Sequence, residues 1–291
     1  MRVLLHRNPA PDRVTAPNVV NVIGDLMQPN TINELLIPGC TIVNLAYLAT
    51  RSKQENLAAM SNLVDCCKKK QVRRLIHCST AAVMGNIPDT EVNEETKCSP
   101  KNEYERSKYG VEKLVVENAM NRFDLAILRP TAVFGPDGKN LIKLAEEICK
   151  GNKTINYIKS CLYGYRKMNL VSIETVVAAL IFLATKTSAC NNEIFFISDD
   201  ENPNNNYRYV EQYLTATFGF SHFRLPRFPV PQFFLSSCLR MAGKTNTNPQ
   251  RIYLSSKIEA EGFVKTVSFE KSLESFADWY KYKFESSSLM R

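Results

Sequence analysis

The strongest constraint in this sequence is an alternation. Short β-branched runs at 3–6, 19–23, 41–46, 74–78 and 125–128 read as strands. Segments of helical period at 31–37, 53–70 and 103–121 lie between them. The helix at 53–70 puts Leu57, Met60, Leu63, Val64 and Cys67 on one face. Strands that are apolar almost throughout, each followed by an amphipathic helix, are buried on both faces. An α/β fold follows, with a doubly wound parallel sheet and right-handed crossovers.

Past Arg129 the order loosens. Pro130, Gly135, Pro136 and Gly138 punctuate a loop. Helices are expected near 139–150, 176–185, 207–218, 232–241 and 269–284, with a strand at 193–198 and a polar turn at 199–206. This divides the chain into a first domain over 1–135, rejoined by 169–199, and a smaller mixed α/β substrate-binding region over 136–168 and 200–291.

Composition excludes several classes. The longest apolar stretch near a helix, 176–184, is far short of the roughly 20 residues that cross a membrane. The first residues lack the apolar core of a signal peptide, so a soluble, cytoplasmic protein without membrane association is expected. Nine cysteines, with no recurring CxxC, fit reduced thiols better than disulfides or zinc, and no metal is expected. The net charge of +8 raises nucleic-acid binding. Yet the basic residues are scattered, and the densest run, Lys68 to Lys70 with Arg73 and Arg74, sits at a helix end where cations complement the dipole. A phosphate-bearing small molecule suits that charge better than nucleic acid.

A dinucleotide-binding sheet opens with a strand, a glycine-rich turn and a helix. None of the 11 glycines forms such a turn, and the first strand reads like the second strand of that fold. An N-terminally incomplete sheet is the expectation. The other reading is a variant that has lost dinucleotide binding.

Tyr-x-x-x-Lys occurs at Tyr104/Lys108, Tyr109/Lys113, Tyr163/Lys167 and Tyr253/Lys257. Context selects the first. Tyr104 and Lys108 open a helix, one turn apart on one face, after a strand that ends in Cys78-Ser79-Thr80. Ligands of open α/β sheets bind at the carboxyl ends of strands. An ammonium beside a phenol favours the phenolate. Tyr104 is then a competent acid/base, and the Thr80 hydroxyl stabilises charge on the same oxygen. Taken alone, the pair reads equally as an exposed aromatic beside a solvated lysine.

Longer segments give the pair its context. RLIHCSTAAVMG (74–85), EYERSKYGVEKLV (103–115) and LRPTAVFGP (128–136) resemble, in order and spacing, three motifs of the extended short-chain dehydrogenase/reductases. These are the NAD-dependent epimerase/dehydratases that act on nucleotide sugars. IGDL (23–26), NLAYLA (44–49) and the stretches 55–69, 166–180 and 253–280 are also similar, so the resemblance covers nearly the whole chain. It implies a Rossmann-like fold and an NAD or NADP cofactor. It makes Thr80, Tyr104 and Lys108 catalytic, and places Asp25, Leu26, Leu45, Ala46, Asn56, Lys108, Thr131 and Val133 along the cofactor. His6 and Arg7, where such enzymes often carry an acid, point to NADP tolerance. Thr80, Ala81, Arg166, Lys167, Arg224 and Arg227 become substrate ligands. A homodimer through helices 53–70 and 103–121 is implied as well.

The departures narrow the reaction. Dehydratases of this family carry Thr-Asp-Glu where this chain has Thr80-Ala81-Ala82. Two alanines supply neither the acid nor the base that elimination needs. Met84 and Thr175 replace a usual Tyr and Asp without touching the central pair. A nucleotide-sugar epimerase or C4-keto reductase is the first expectation. A reductase of a non-sugar carbonyl, like the dihydroflavonol and 3β-hydroxysteroid branches, is the second, and a non-catalytic relative the third.

Overall fold

The computed structural model describes residues 1–6, 16–223, 225–228, 230–243 and 245–289, with side chains of the last helix described to Lys283. In chain order the first half holds β1 (Arg2–Leu5), β2 (Val20–Ile23), α1 (Pro29–Leu35), β3 (Thr41–Asn44), α2 (Lys53–Lys69), β4 (Arg74–Cys78), β5 (Glu91–Val92), α3 (Glu103–Ala119) and β6 (Asp124–Pro130). The second half holds β7 (Ala132–Phe134), α4 (Lys139–Lys150), α5 (Lys153–Tyr163), β8 (Leu170–Ser172), α6 (Ile173–Thr185) and β9 (Glu193–Ile197). It ends with α7 (Tyr207–Thr217), α8 (Gln232–Met241), β10 (Ile252–Tyr253), α9 (Ser256–Ala260) and α10 (Phe269–Leu289). No described helix is long and apolar enough to cross a membrane.

Two compact units result. The first comprises Met1–Ser79, Pro100–Leu128 and Phe182–Ile194. The second comprises Thr80–Ser99, Arg129–Ile181 and the chain from Phe195 onward. The sequence reading put 80–99, 129–135, 169–181 and 195–199 in the first domain. The structure groups them with the second because their partners are there. β5 pairs in parallel with β10, the Arg251 guanidinium donates to the carbonyls of Gly85 and Ile87, and β7 pairs with β8.

In the first unit, β1 and β2 form a two-stranded parallel sheet, and a four-stranded sheet runs β3-β4-β6-β9. A dinucleotide-binding sheet runs 3-2-1-4-5-6. On that order β2 and β1 take positions three and two, and β3, β4 and β6 take four to six. Position one, whose turn cradles the pyrophosphate, has no strand among the described residues. The helical layer is continuous across this break. Ile32 and Leu36 from α1 share one core with Met60, Leu63 and Val64 of α2 and Leu75 of β4.

Local chemistry explains the two long helices. Ser52 with Glu55 and Asn102 with Glu105 each form a reciprocal capping box, which satisfies donors at both N-termini. Gly110 faces α2, where a methyl group would come within 3.2 Å of Lys53 Cε, the far end of a flexible side chain.

One buried cation fastens the far edge of this unit. Arg74 is 2% exposed and pairs with Asp124. Its remaining N–H groups donate to the carbonyls of Leu183, Lys186 and Ser188. Asp124 in turn accepts from the Cys190 and Asn191 amides. β4, β6 and the segment leading to β9 thus meet at one ion pair.

The second unit has its own core, including Phe134, Leu141, Leu170, Val210, Leu214, Leu273 and Phe276. Its polar turn after β9 is half-buried, with Asp199, Asp200, Asn205 and Asn206 inside and Glu201 and Pro203 exposed. Asn205 bonds both backbone groups of Leu170, and Asp200 accepts from Tyr253 N and Asn169 Nδ2. Burial pushes the Asp200 carboxyl up to about 6. α5 and the short strands β5, β7, β8 and β10 were not read from the sequence.

Removing one partner of a buried ion pair leaves an uncompensated charge and orphaned carbonyls. Arg74→Met is therefore expected to cost about 3–5 kcal/mol. The check is a lower urea midpoint at unchanged m; a loss under about 1 kcal/mol would count against this role.

Candidate active site

The carboxyl end of β4 and the first turns of α3 build the site in the first unit. Asn102 caps α3, which sets Tyr104 in its first turn and Lys108 one turn later. Tyr104 is 43% exposed, whereas Lys108 is 5% exposed. The Lys108 ammonium donates to the Cys78 carbonyl at 3.3 Å, the last residue of β4. The bland reading of a solvated lysine therefore fails for this pair.

Tyr47 brackets the pair, and nothing in the sequence singled it out. Lys108 Nζ lies 4.9 Å from the Tyr47 ring centre, a cation–π distance. The Tyr104 ring meets the same ring edge-on at 5.3 Å. Burial pushes the Lys108 ammonium below the usual lysine range, with the nearby Cys78 and Glu112 opposing that shift. The only sequence signal was an aromatic in NLAYLA, next to the residues assigned to the cofactor.

Behind this bracket lies a small cavity of about 10 Å³, lined by Leu26, Ala46, Tyr47, Asn56, His77 and Lys108 among others. That is room for roughly one water. It gathers Leu26, Ala46, Asn56 and Lys108, four of the expected cofactor residues. Asn56 is engaged with the backbone: its Oδ1 accepts from Leu48 N, and its Nδ2 donates to the carbonyls of Leu48 and Ser52. It holds the 45–48 loop in place. Leu45 is exposed on that loop. Asp25 accepts from Met27 N and pairs with His6 at 3.3 Å. Arg7 lies outside the described residues.

His77 was also missed. One ring nitrogen faces Asn44 Nδ2 at 3.1 Å, and the buried Nε2 has no protein partner. Burial, with the Lys108 charge adding to it, lowers the imidazole to about 3. A neutral histidine therefore sits beside the lysine. The signal was an imidazole inside an otherwise apolar strand, RLIHC. Ser79 is buried at the same strand end, and its hydroxyl lacks a partner.

In the second unit, Thr80 caps the 3-10 turn Ala81–Met84, its Oγ1 accepting from Ala82 N at 3.2 Å. Ala81 is buried. Thr131 is buried with an unpartnered hydroxyl, and Val133 lies on β7. Of the expected substrate cations, Lys167 donates to the carbonyls of Asp200 and Asn202. Arg227 bonds Ser160 and the buried Glu211. Arg166 stacks on Tyr163 at 5.6 Å. Arg224 lies outside the described residues. No cluster of metal-ligating residues occurs among the described residues.

Residues 6–198 match the family described as NAD dependent epimerase/dehydratase. The chain belongs to that family. Among curated proteins, it is 29% identical over 153 residues to a decarboxylating sterol-4-alpha-carboxylate 3-dehydrogenase of Saccharomyces cerevisiae. The match covers 50% of this chain and 44% of that protein. The corresponding enzyme of Schizosaccharomyces pombe is 24% identical over 161 residues, again 50% of this chain and 44% of the relative. The chain thus spans less than half the length of these relatives. Among solved structures, UDP-glucose 4-epimerase of Thermotoga maritima with UDP-glucose superposes with a TM-score of 0.72 at 16% identity, over 97% of this chain and 91% of that one. The dTDP-glucose 4,6-dehydratase of Bacillus anthracis in complex with NAD gives 0.71 at 18% identity, over 94% and 84%. At such identities these family structures share the fold. The fold class read from the sequence is the family's own.

The buried imidazole yields a pH prediction. His77 binds protons less readily when folded, near 3, than at its ordinary 6.5. Between those values the unfolded chain holds more protons, so stability falls as pH drops from 6.5 toward 3. His77→Gln is expected to lose that part of the acid limb in urea unfolding followed across pH. An unchanged acid limb in the variant would refute a neutral buried His77.

Proposed function

We propose that this protein is an NAD(P)-dependent oxidoreductase acting on a secondary alcohol or its ketone, with Tyr104 as acid/base, Lys108 as its tuner and Thr80 as hydroxyl donor. The observation that carries the reading is the buried Lys108 ammonium, fixed to the end of β4 one helical turn from an exposed phenol. An exposed phenol with a buried cation behind it is placed to hand a proton to, or take one from, a substrate oxygen.

The chain's fit to the cofactor is divided. Ser79 carries a buried hydroxyl without a partner, and Lys108 stands at the strand end, which suits a nicotinamide riboside. The sequence has no glycine-rich turn for the pyrophosphate. When bound, the nicotinamide supplies or accepts the hydride. The protein's part is local: Tyr104 moves the proton at the substrate oxygen and Lys108 holds positive charge behind it. Tyr47 lays its ring against the lysine's ammonium.

The substrate reading rests on the cations of the second unit. Lys167 and Arg227 spend their charge on internal carbonyls and a buried carboxylate, where a nucleoside diphosphate would need them free. Together with the sterol dehydrogenases among its sequence relatives, this favours a non-sugar hydroxyl or ketone, sterol-like in class, over the nucleotide sugars expected first. The epimerase or C4-keto reductase reading retains one supporting feature, the alanines after Thr80, which suit any simple redox step. The α2 and α3 surface is the proposed homodimer face in either case.

Titration with NAD(H) and NADP(H) comes first, then assay against 3β-hydroxysteroids and UDP- and dTDP-sugars by nicotinamide absorbance. Steroid-dependent turnover is expected. Tyr104→Phe should lower kcat about 100-fold or more, with cofactor Kd within about twofold of the parent. Turnover of nucleotide sugars alone would reverse the substrate reading. Absence of both cofactor binding and turnover would overturn the enzymatic one.

A further inference from the structure

From Gln212 to Ile258 the chain contains no Asp or Glu, yet it carries Arg224, Arg227, Arg240, Lys244, Arg251 and Lys257. A long acid-free basic run is unusual in a protein with 29 acidic residues overall. The same run exposes large apolar side chains. Leu225, Phe228, Phe233 and Met241 are 63%, 66%, 75% and 82% exposed, and Phe234 is 51% exposed.

α8 organises these residues. Its buried Leu235 and Leu239, four apart, face the unit's interior. At 100° per residue Phe233, Phe234, Ser237, Arg240 and Met241 fall on the opposite arc. Aromatic and aliphatic side chains thus project outward with an exposed arginine among them. Leu225 and Phe228 precede this face on the proline-rich segment 225–231. Arg240 also lines a polar cavity of about 450 Å³ with Asn86, Ser236, Thr247 and Asn248.

We propose that this face, Leu225, Phe228 and the outer side of α8, docks on an anionic lipid bilayer. The rings and Met241 enter the headgroup–acyl boundary. The exposed Arg240 meets the lipid phosphates. Apolar anchors beside a cation describe a face that lies on a membrane surface. Charge selects this occupant over a second copy of the chain, because a second copy of this acid-free segment would offer Arg240 no carboxylate. The expectation of no membrane partner drawn from the sequence considered spanning segments only.

The test needs neither substrate nor cofactor, so it is separable from the redox reading. The full chain is mixed with phosphatidylcholine vesicles containing about 30% phosphatidylserine, or none, and sedimented. Binding to the anionic vesicles is expected, weaker in high salt, and falling roughly tenfold or more in the Phe233→Ser/Phe234→Ser double variant. Arg240→Gln should lose binding by about fivefold. Both variants should keep the parent's melting temperature. Three results would each overturn the proposal. One is no sedimentation with anionic vesicles. Another is equal binding to both vesicle types, or binding indifferent to the phenylalanines. The third is a phenylalanine-dependent dimer forming without vesicles.

Discussion

The candidate site depends on where one buried charge ends up. Lys108 leaves solvent, loses hydration, and recovers part of it from the Cys78 carbonyl and the face of Tyr47. That arrangement holds only if α3 lies tightly along α2 and against the end of β4. The Asn102–Glu105 capping box fixes the helix start. Sequence, capping and packing therefore converge on the position of a single ammonium. In the proposed function the exposed phenol one turn away takes its chemical role from that ammonium.

Two other buried groups frame this charge. His77 stays neutral because it cannot be solvated when charged and because Lys108 is close. A neutral imidazole leaves the lysine as the cation at that strand end. Arg74, at the opposite end of the same strand, is satisfied by Asp124 and three carbonyls. One strand thus carries a buried cation at its start and abuts a second at its finish.

Much of this was legible because it is periodic or local. The helix expected at 53–70 is observed as Lys53–Lys69, and Met60, Leu63, Val64 and Cys67 are buried as their spacing required. The strand at 74–78 and its alternation with helices specify a parallel sheet. The choice of Tyr104/Lys108 among four similar pairs rested on neighbours in the chain, and Lys108 is the lysine that reaches a strand end. What was not legible is set by distant partners. Tyr47 matters because it meets residues some sixty positions later, which no local pattern records. Lys167 and Arg227 read as free cations until Asp200, Asn202 and Glu211 are placed beside them. The break between β1 and β3 shows only in the pairing, although the missing glycine turn pointed to it.

The most direct measurement is the titration of Lys108 itself, by carbon-detected NMR of lysine side chains, assigned by comparison with Lys108→Met. A buried ammonium held at the end of β4 titrates below the ordinary lysine value of 10.5. A Lys108 that titrates at or above 10.5 would be a solvated surface charge, and the catalytic reading of Tyr104 would fall with it.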